Sequence, residues 1–401
     1  MNIPVHERER WMVSTIFSVS AVVCGWCCCI VTAHISVNNQ ISNLPSSRAR
    51  AFDVTARSYF SLFDSPVAQS DTSETNPNEV TKTRRVRYSG SYPKAFKDKY
   101  KEIRGDAETM SKVLAKGSTP AGTHVPIMLQ EVLEHLGLNQ TEAAATRNQN
   151  CLSIDCTLGF GGHSKEIVKK LLPFKKWKHV GIDQDVVEIR KTQERILNSL
   201  STTVPESDME LVRSRISFHN QNFGDLETLA TANNFVGRVD VLMADLGYSS
   251  MQIDDPSRGF TFKAQGPLDM RMDPTKGESA LEYLNRISRN DLKKVLEENS
   301  DEVMALQIAT CLKEEPIPST TTDLSERVRN AVKAAELKKG GTSPATDFLD
   351  SAVARTMQAI RIEVNGEFKV LEKLLEALPR VMAPGGRVVF LTFHSGTYYL
   401  T

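Results

Sequence analysis

Residues 151–164 read CLSIDCTLGFGGHS, and the fold turns on how this stretch is understood. A short apolar run, Cys151 to Leu158, enters a turn with glycines at 159, 161 and 162, and a helical pattern follows from Ser164 to Leu172. Glycines at such a turn let the backbone approach a ligand closely and take dihedral angles other residues avoid. The helix behind them offers unpaired N–H donors to it. Strand, glycine turn and helix together point to a nucleotide-like cofactor held between Gly159 and Gly162, with a plain tight loop as the alternative.

The same alternation continues outward. His179 to Asp183 reads as a second strand and Val186 to Leu200 as a second helix. Ile216 to Phe223 and Val239 to Asp245 read as a third and fourth strand. Strand and helix in repeated alternation imply an α/β fold, a doubly wound and mainly parallel sheet with right-handed crossovers. Upstream, Met128 to Leu136 is amphipathic. Downstream the alternation stops: from Ser279 to Lys339 apolar residues recur at helical spacing, as in Leu281, Leu284, Ile287 and Leu292, Val295, Leu296. This is a helical insertion. Helical pattern persists through Phe348 to Val364 and Phe368 to Val381, after which Pro384-Gly385-Gly386 is expected to turn the chain into a fifth strand, Arg387 to Phe393. The expected boundaries are 110–250 and 350–401 for the sheet domain and 251–349 for a mostly helical, substrate-facing insertion.

The chain has 401 residues, 40% hydrophobic and 24% charged, which is ample for a core. Its 49 basic and 49 acidic side chains cancel, so bulk charge indicates neither a nucleic-acid binder nor its opposite. Cys24, Cys27, Cys28 and Cys29 crowd one apolar N-terminal run, leaving Cys151, Cys156 and Cys311 for the body. Three scattered cysteines make no disulfide framework, and the lone C-x-x-C has no second pair, so no metal site is expected. The apolar stretch Trp11 to Ala33, preceded by Arg8 and Arg10, resembles a signal sequence or, less well, a membrane anchor. Ser/Thr-rich, Arg-bearing sequence follows to about Pro93. Residues 1–95 are therefore expected to be a targeting leader and linker of plastid type, or failing that mitochondrial, with no stable membrane association after processing.

In a doubly wound sheet ligands sit beyond the carboxyl ends of the strands. Asp183, ~20 residues past the glycines, has the spacing of an acid that holds a ribose. Those two features are common to NAD enzymes and methyltransferases. Ala244 to Gln252 (ADLGYSSMQ) adds an acid and a turn beside the cofactor's reactive end. Together with the Gly-Gly-His loop, Asp255 to Phe260 (DPSRGF), Gly266 to Asp273 (GPLDMRMD) and Arg355 to Asn365 (RTMQAIRIEVN), this resembles the bacterial ribosomal RNA small subunit methyltransferase H family, over roughly His124 to Ser395.

The resemblance implies S-adenosylmethionine as cofactor, and transfer of its methyl group to N4 of a cytosine in the decoding region of small-subunit ribosomal RNA. Free RNA or an assembling subunit would be the partner, and a homodimer stays open. The cofactor contacts it implies are Gly161, Gly162, His163, Asp183, Phe223, Asp245 and Gln252. Phe223 can stack on adenine or be plain core, Gln252 can be plain loop, and Asp245 can accept an amine N–H or serve only the cofactor.

A paired cytosine hides its N4, so the base must be single-stranded or extruded, stacked on an aromatic and held through its backbone. Arg258, Phe260, Arg271, Arg355, Gln358 and Arg361 are the residues assigned to this, the last three stepping by three along one helix as a polar ridge. Internal ion pairs among Asp269, Arg271 and Asp273 are the alternative. The Lys169 to Lys178 cluster with Trp177 is either an RNA-facing patch or a solvated face.

Two departures stand out. Ser351-Ala352-Val353-Ala354 replaces the family's His-Pro-Ala-Thr, and after Phe393-His394-Ser395 the chain runs through Gly396 to Thr401 and ends where the family is expected to continue. The final strand would then be left as an apolar edge. Another methyl acceptor, or an RNA-binding assembly factor without turnover, are the competing readings, and a dehydrogenase is the most remote.

Overall fold

The computed structural model describes residues 15–24, 28–37, 126–139, 150–340 and 343–392. The linker, most of the leader and the sequence after Thr392 lie outside them.

One sheet organises the sheet domain. Its strands are β1 (Thr15–Cys24), β2 (Cys28–Val37), β3 (Asn150–Asp155), β4 (Lys176–Asp183), β5 (Ile216–Asn220), β6 (Val239–Asp245) and β7 (Met382–Thr392), in the order β1-β2-β7-β6-β3-β4-β5. The five from β7 to β5 are parallel. From β3 the chain winds outward through β4 to β5, then returns to lay β6 and β7 on the other side. The order reverses between β3 and β6, where such sheets bind ligands.

Two expectations change at the β7 edge. Part of the stretch read as a leader or anchor, 15–24 and 28–37, forms antiparallel strands, and β2 pairs with β7 from Cys29↔Thr392 to His34↔Arg387. The last parallel strand is therefore paired on both sides instead of standing as a free edge. Among the described residues no helix is long and apolar enough to cross a membrane. Pro384-Gly385-Gly386 also lies inside β7. It fills the bulge between the Val239↔Met382 and Val241↔Arg387 pairs.

Both faces of the sheet are covered, which is why its strands read as nearly continuous apolar runs. Along β6, Val241 and Met243 face one core while Leu242 and Ala244 face the other. The first core is closed by α1 (Leu129–His135), α2 (Gly162–Leu171), α3 (Val186–Leu200) and α4 (Glu206–Arg215); the second by α5 (Leu226–Ala232) and α12 (Glu367–Val381). In α2, Ile167, Val168 and Leu171 make the buried stripe; in α12 it is Leu371, Leu374, Leu378 and Val381. Each such side chain contributes about 1.5–3 kcal/mol by leaving water. Trp177 belongs to the first core at 4% exposure, so the Lys169 to Lys178 run is not an aromatic RNA patch.

After β6 come α6 (Ser250–Asp254) and then the insertion. It packs α7 (Ala280–Arg286), α8 (Arg289–Ser300), α9 (Ala305–Glu314), α10 (Thr321–Lys338) and α11 (Thr346–Asn365) around a third core. Side chains of Ser279, Ser288 and Thr320 cap α7, α8 and α10. The expected boundary at 350 falls inside α11, whose Leu349, Ala352, Val353, Met357 and Ile360 are buried in that third core. The departure at Ser351 to Ala354 thereby gains a physical reason, since Ala352 and Val353 are fully buried there.

Gly161 caps α2 at φ 83°, and a Cβ there would stand 2.6 Å from Thr192 Cγ2 and 2.8 Å from Ile196 Cδ1. Strain and overpacking thus coincide. Gly161→Ala should cost about 1–3 kcal/mol, seen as a lower urea midpoint at an unchanged m-value; an unmoved midpoint would show that α3 yields freely.

Candidate active site

Three adjacent strands, β6, β3 and β4, each end in an aspartate: Asp245, Asp155 and Asp183. Water is poor at reaching them, and burial raises the pKa of all three. Asp183 and Asp245 are each pushed up to about 6, from an ordinary aspartate value of 3.8.

Asp155 is the fully buried member and ties the local structure together. Its Oδ1 accepts from Thr157 N at 3.1 Å and its Oδ2 from Ser164 Oγ at 2.6 Å. Ser164 Oγ in turn lies 2.9 Å from His179 Nε2, and His179 Nδ1 is 2.7 Å from Ser153 Oγ. Ser164 donates to the carboxylate, so His179 Nε2–H donates to Ser164, while Nδ1 faces Ser153 Oγ, which also donates to the Lys178 carbonyl oxygen at 3.3 Å. His179 is neutral, because burial drives its pKa down to about 3. Although it contains Ser, His and Asp, the set lies beneath the sheet edge with the serine in the middle, so no nucleophile is activated; it pins α2 to β3 and β4. A lone histidine inside the apolar run of β4 was the only sequence sign of it.

Asp183 organises the loop above. Its Oδ2 accepts from Gly159 N at 2.7 Å and its Oδ1 from Asp185 N at 2.8 Å. Thr157 completes the turn by accepting Asp245 N on Oγ1 at 2.7 Å. The Asp245 carboxylate itself has no hydrogen bond to any described residue. A half-buried acid at a strand end, without a donor among the described residues and next to a glycine turn, fits a group that brings its own N–H or positive charge. Two residues on, Gly247 at φ 127° leaves open space where a Cβ would stand, and Tyr248 follows, 44% exposed.

A profile of the MraW methylase family matches residues 121–397. The chain belongs to that family. It is similar to proteins named ribosomal RNA small subunit methyltransferase H in bacteria. Examples come from Lachnoclostridium phytofermentans (39% identity, covering 80% of this chain and 82% of that one) and Alkaliphilus metalliredigens (38%, covering 80% and 85%). A third is from Acholeplasma laidlawii (40%, covering 79% and 85%).

Within this methylase the expected cofactor residues do converge on the carboxyl edge of β3, β4 and β6, but several have structural duties. Gly161 and Gly162 lack a Cβ because Thr192, Ile196 and Pro126 occupy the space, so their requirement is packing. Gly159, at φ 46° with only Thr157 O nearby, is the glycine with room beside it. His163 is buried and its Nε2 lies 2.9 Å from the Ile127 carbonyl oxygen, fastening α2 to the segment before α1. Gln252 is buried too: its Oε1 accepts from Ser249 N in a capping box, and its Nε2 lies 3.4 Å from Asp185 Oδ2. Phe223 begins a short 3-10 turn after β5, half-buried against the second core, so one side of its ring is committed to packing.

The arginines assigned to RNA each hold a carboxylate of the protein. Arg258 is spent on Asp185, Nη1 to Oδ2 at 2.6 Å. Arg271 grips Asp269 with Nε at 2.8 Å and Nη2 at 2.7 Å, the internal pair that stood as the alternative; Asp273 instead holds Thr275 and Lys276. Arg355 meets the buried Glu302 at 2.8 Å, and Arg361 meets Glu367 at 2.7 Å. Steps of three lag a 3.6-residue turn by about 60° each, so Arg355 and Arg361 point to different neighbours and no ridge forms. Gln358 stays between them, half-buried. Phe260 lies beneath the surface, stacked on Tyr248 at 6.1 Å and 13°, and Arg361 covers the Tyr248 ring at 4.3 Å. Tyr248, Asp185, Glu302 and Glu367 were missed; an exposed tyrosine three places after Asp245 was legible, the carboxylate partners were not.

With Asp183 and Asp245 titrating near 6, a cationic ligand needs both ionised. S-adenosylmethionine should bind more tightly as pH rises from 5 to 8, releasing protons, as calorimetry in buffers of different ionisation enthalpy would show. The ligand-free protein should behave oppositely. Folded pKa values above the unfolded value give a stability contribution complete in acid and lost as pH rises through about 6. A flat affinity profile would contradict the assignment of these acids to the cofactor.

Proposed function

We propose that this methylase transfers a methyl group from S-adenosylmethionine to the exocyclic N4 of a cytosine in the decoding region of small-subunit ribosomal RNA. The observation that carries this reading is Asp245: a carboxylate at the switch point of the sheet, unbonded among the described residues, between the Gly159 turn and an exposed tyrosine. The names of its bacterial relatives support the acceptor, and the ordered motifs from Asp255 to Asn365 support the same class of substrate.

When bound, the cofactor supplies an electrophilic methyl group on a cationic sulfur. Asp183 would hold the ribose hydroxyls, Phe223 would flank the adenine, and the Gly159 turn would pass beneath the sugar. A cytosine amine is a weak nucleophile because its lone pair is delocalised into the ring. Asp245 would accept one of its N–H groups and take the proton that the methylated nitrogen sheds. The base has to leave its stack to reach this depth. Desolvation that holds Asp245 near 6 leaves it ionised at neutral pH yet basic enough to receive a proton.

The direct test is incubation of the protein with unmethylated small-subunit RNA and labelled cofactor. Label is expected on the N4 of one decoding-region cytosine, and label on no RNA would sink the proposal. Asp245→Asn should lower kcat about 10²-fold or more while cofactor affinity changes less than tenfold. A collapse of cofactor binding with kcat preserved would make Asp245 a cofactor ligand only.

A further inference from the structure

Arg258 belongs to a motif whose resemblance suggested an RNA contact, yet its guanidinium is satisfied from within. Nη1 donates to Asp185 Oδ2 at 2.6 Å, and Nη2 donates to the carbonyl oxygens of Met272 at 2.9 Å and Arg271 at 3.3 Å. The side chains are 15% and 2% exposed, so both charges are largely out of water.

Asp185 is the hinge of this arrangement. Its Oδ1 accepts from Val187 N and Glu188 N and so caps α3, and its own N–H donates to Asp183 Oδ1. On Oδ2 it receives Arg258 and, at 3.4 Å, Gln252 Nε2 from α6. The far side of Arg258 is anchored as well. Met272 N donates to Asn365 Oδ1, and Asn365 Nδ2 donates to the carbonyl oxygens of Met270 and Arg361, so the loop that Arg258 grips is itself fixed to α11. Close backbone approach holds Arg258's own turn: a Cβ on Gly259 would meet the Pro267 carbonyl oxygen, and one on Gly266 the Pro256 carbonyl oxygen.

We propose that Arg258 is a positioning residue for the cofactor site and not an RNA contact: by neutralising Asp185 it fixes Asp183 and couples the insertion to the cofactor loop. This rests on the reading of Asp183 as the cofactor's ribose ligand. Without Arg258, Asp185 would keep a buried negative charge beside Asp183, with Asp155 also near, and all three carboxylates would repel. Asp183 would then hold its proton to higher pH, and α3 would lose the fixed cap on which the Gly159 turn leans through Thr192 Oγ1, 2.5 Å from the Gly159 carbonyl oxygen.

The test uses the full chain with Arg258→Met, Arg258→Lys, Asp185→Asn and the double variant Arg258→Met/Asp185→Asn. S-adenosylmethionine affinity is measured by calorimetry across pH, RNA affinity by filter binding to a small-subunit RNA fragment. Arg258→Met is expected to weaken cofactor at least tenfold, move the pH midpoint of cofactor binding upward and leave RNA affinity within threefold. Arg258→Lys should restore part of the loss. The double variant should be no worse than the worse single variant, because the two residues act as one unit. RNA affinity that falls while cofactor affinity holds overturns the proposal, as do losses that add or a pH midpoint that does not move. Should Arg258→Met fail to fold, the Lys and Asn variants decide by the same criteria. A wild-type chain that binds no S-adenosylmethionine overturns the cofactor reading itself, and is thereby told apart from a wild-type chain that binds it and an Arg258 variant that binds it equally well.

Discussion

Like charges at the carboxyl ends of three neighbouring strands are the constraint from which the rest of this site follows. Asp245, Asp155 and Asp183 stand where the sheet reverses its winding, and each is denied full hydration. Coulomb repulsion in such a place is costly unless something answers it. Backbone N–H groups of Thr157, Gly159 and Asp185 answer part of it, the hydroxyl of Ser164 another part, and His163 lowers the pKa of both Asp155 and Asp245. Asp245 is left with the least help. A site so arranged is preorganised for a positive ligand, because the repulsion already present falls when that ligand arrives.

The helical insertion solves a different problem. It has its own apolar core and meets the sheet domain through polar joints such as Arg258 with Asp185 and Gln184 Nε2 with Met272 Sδ. Four arginines that a sequence reading turns toward RNA are each bound to a carboxylate: Asp185, Asp269, Glu302 and Glu367. In each case the acid is far away in sequence or on a neighbouring turn, and its charge is as large as the arginine's.

How much could be read in the sequence depended on whether local pattern or distant pairing decided the matter. Five parallel strands, the glycine turn and the helical insertion followed from apolar periodicity, which short windows reveal. The boundary at 350 failed because α11 continues the insertion's core with an unbroken 3.6-residue stripe. Pro384-Gly385-Gly386 looked like a turn because Pro and Gly do so by local preference, whereas the register opposite β6 absorbs them as a bulge. Gly161 and Gly162 were noticed for the right loop but for ligand approach, when Thr192, Ile196 and Pro126 set the requirement. The same holds for Phe260, whose burial under Tyr248 depends on a fold that brings two loops together.

The row of hydrogen bonds that links Ser153, His179, Ser164 and Asp155 has a meaning beyond anchoring. Its direction follows the charge of Asp155, because an ionised carboxylate can only accept. Were Asp155 to carry a proton, the Ser164 hydroxyl would be free to turn to His179, the imidazole would carry its hydrogen on Nδ1, and Ser153 would donate to the Lys178 carbonyl oxygen, with no heavy atom displaced. The β3–β4 seam thereby links the tautomer of His179 to the charge of Asp155, and nitrogen chemical shifts of that one buried ring would read it.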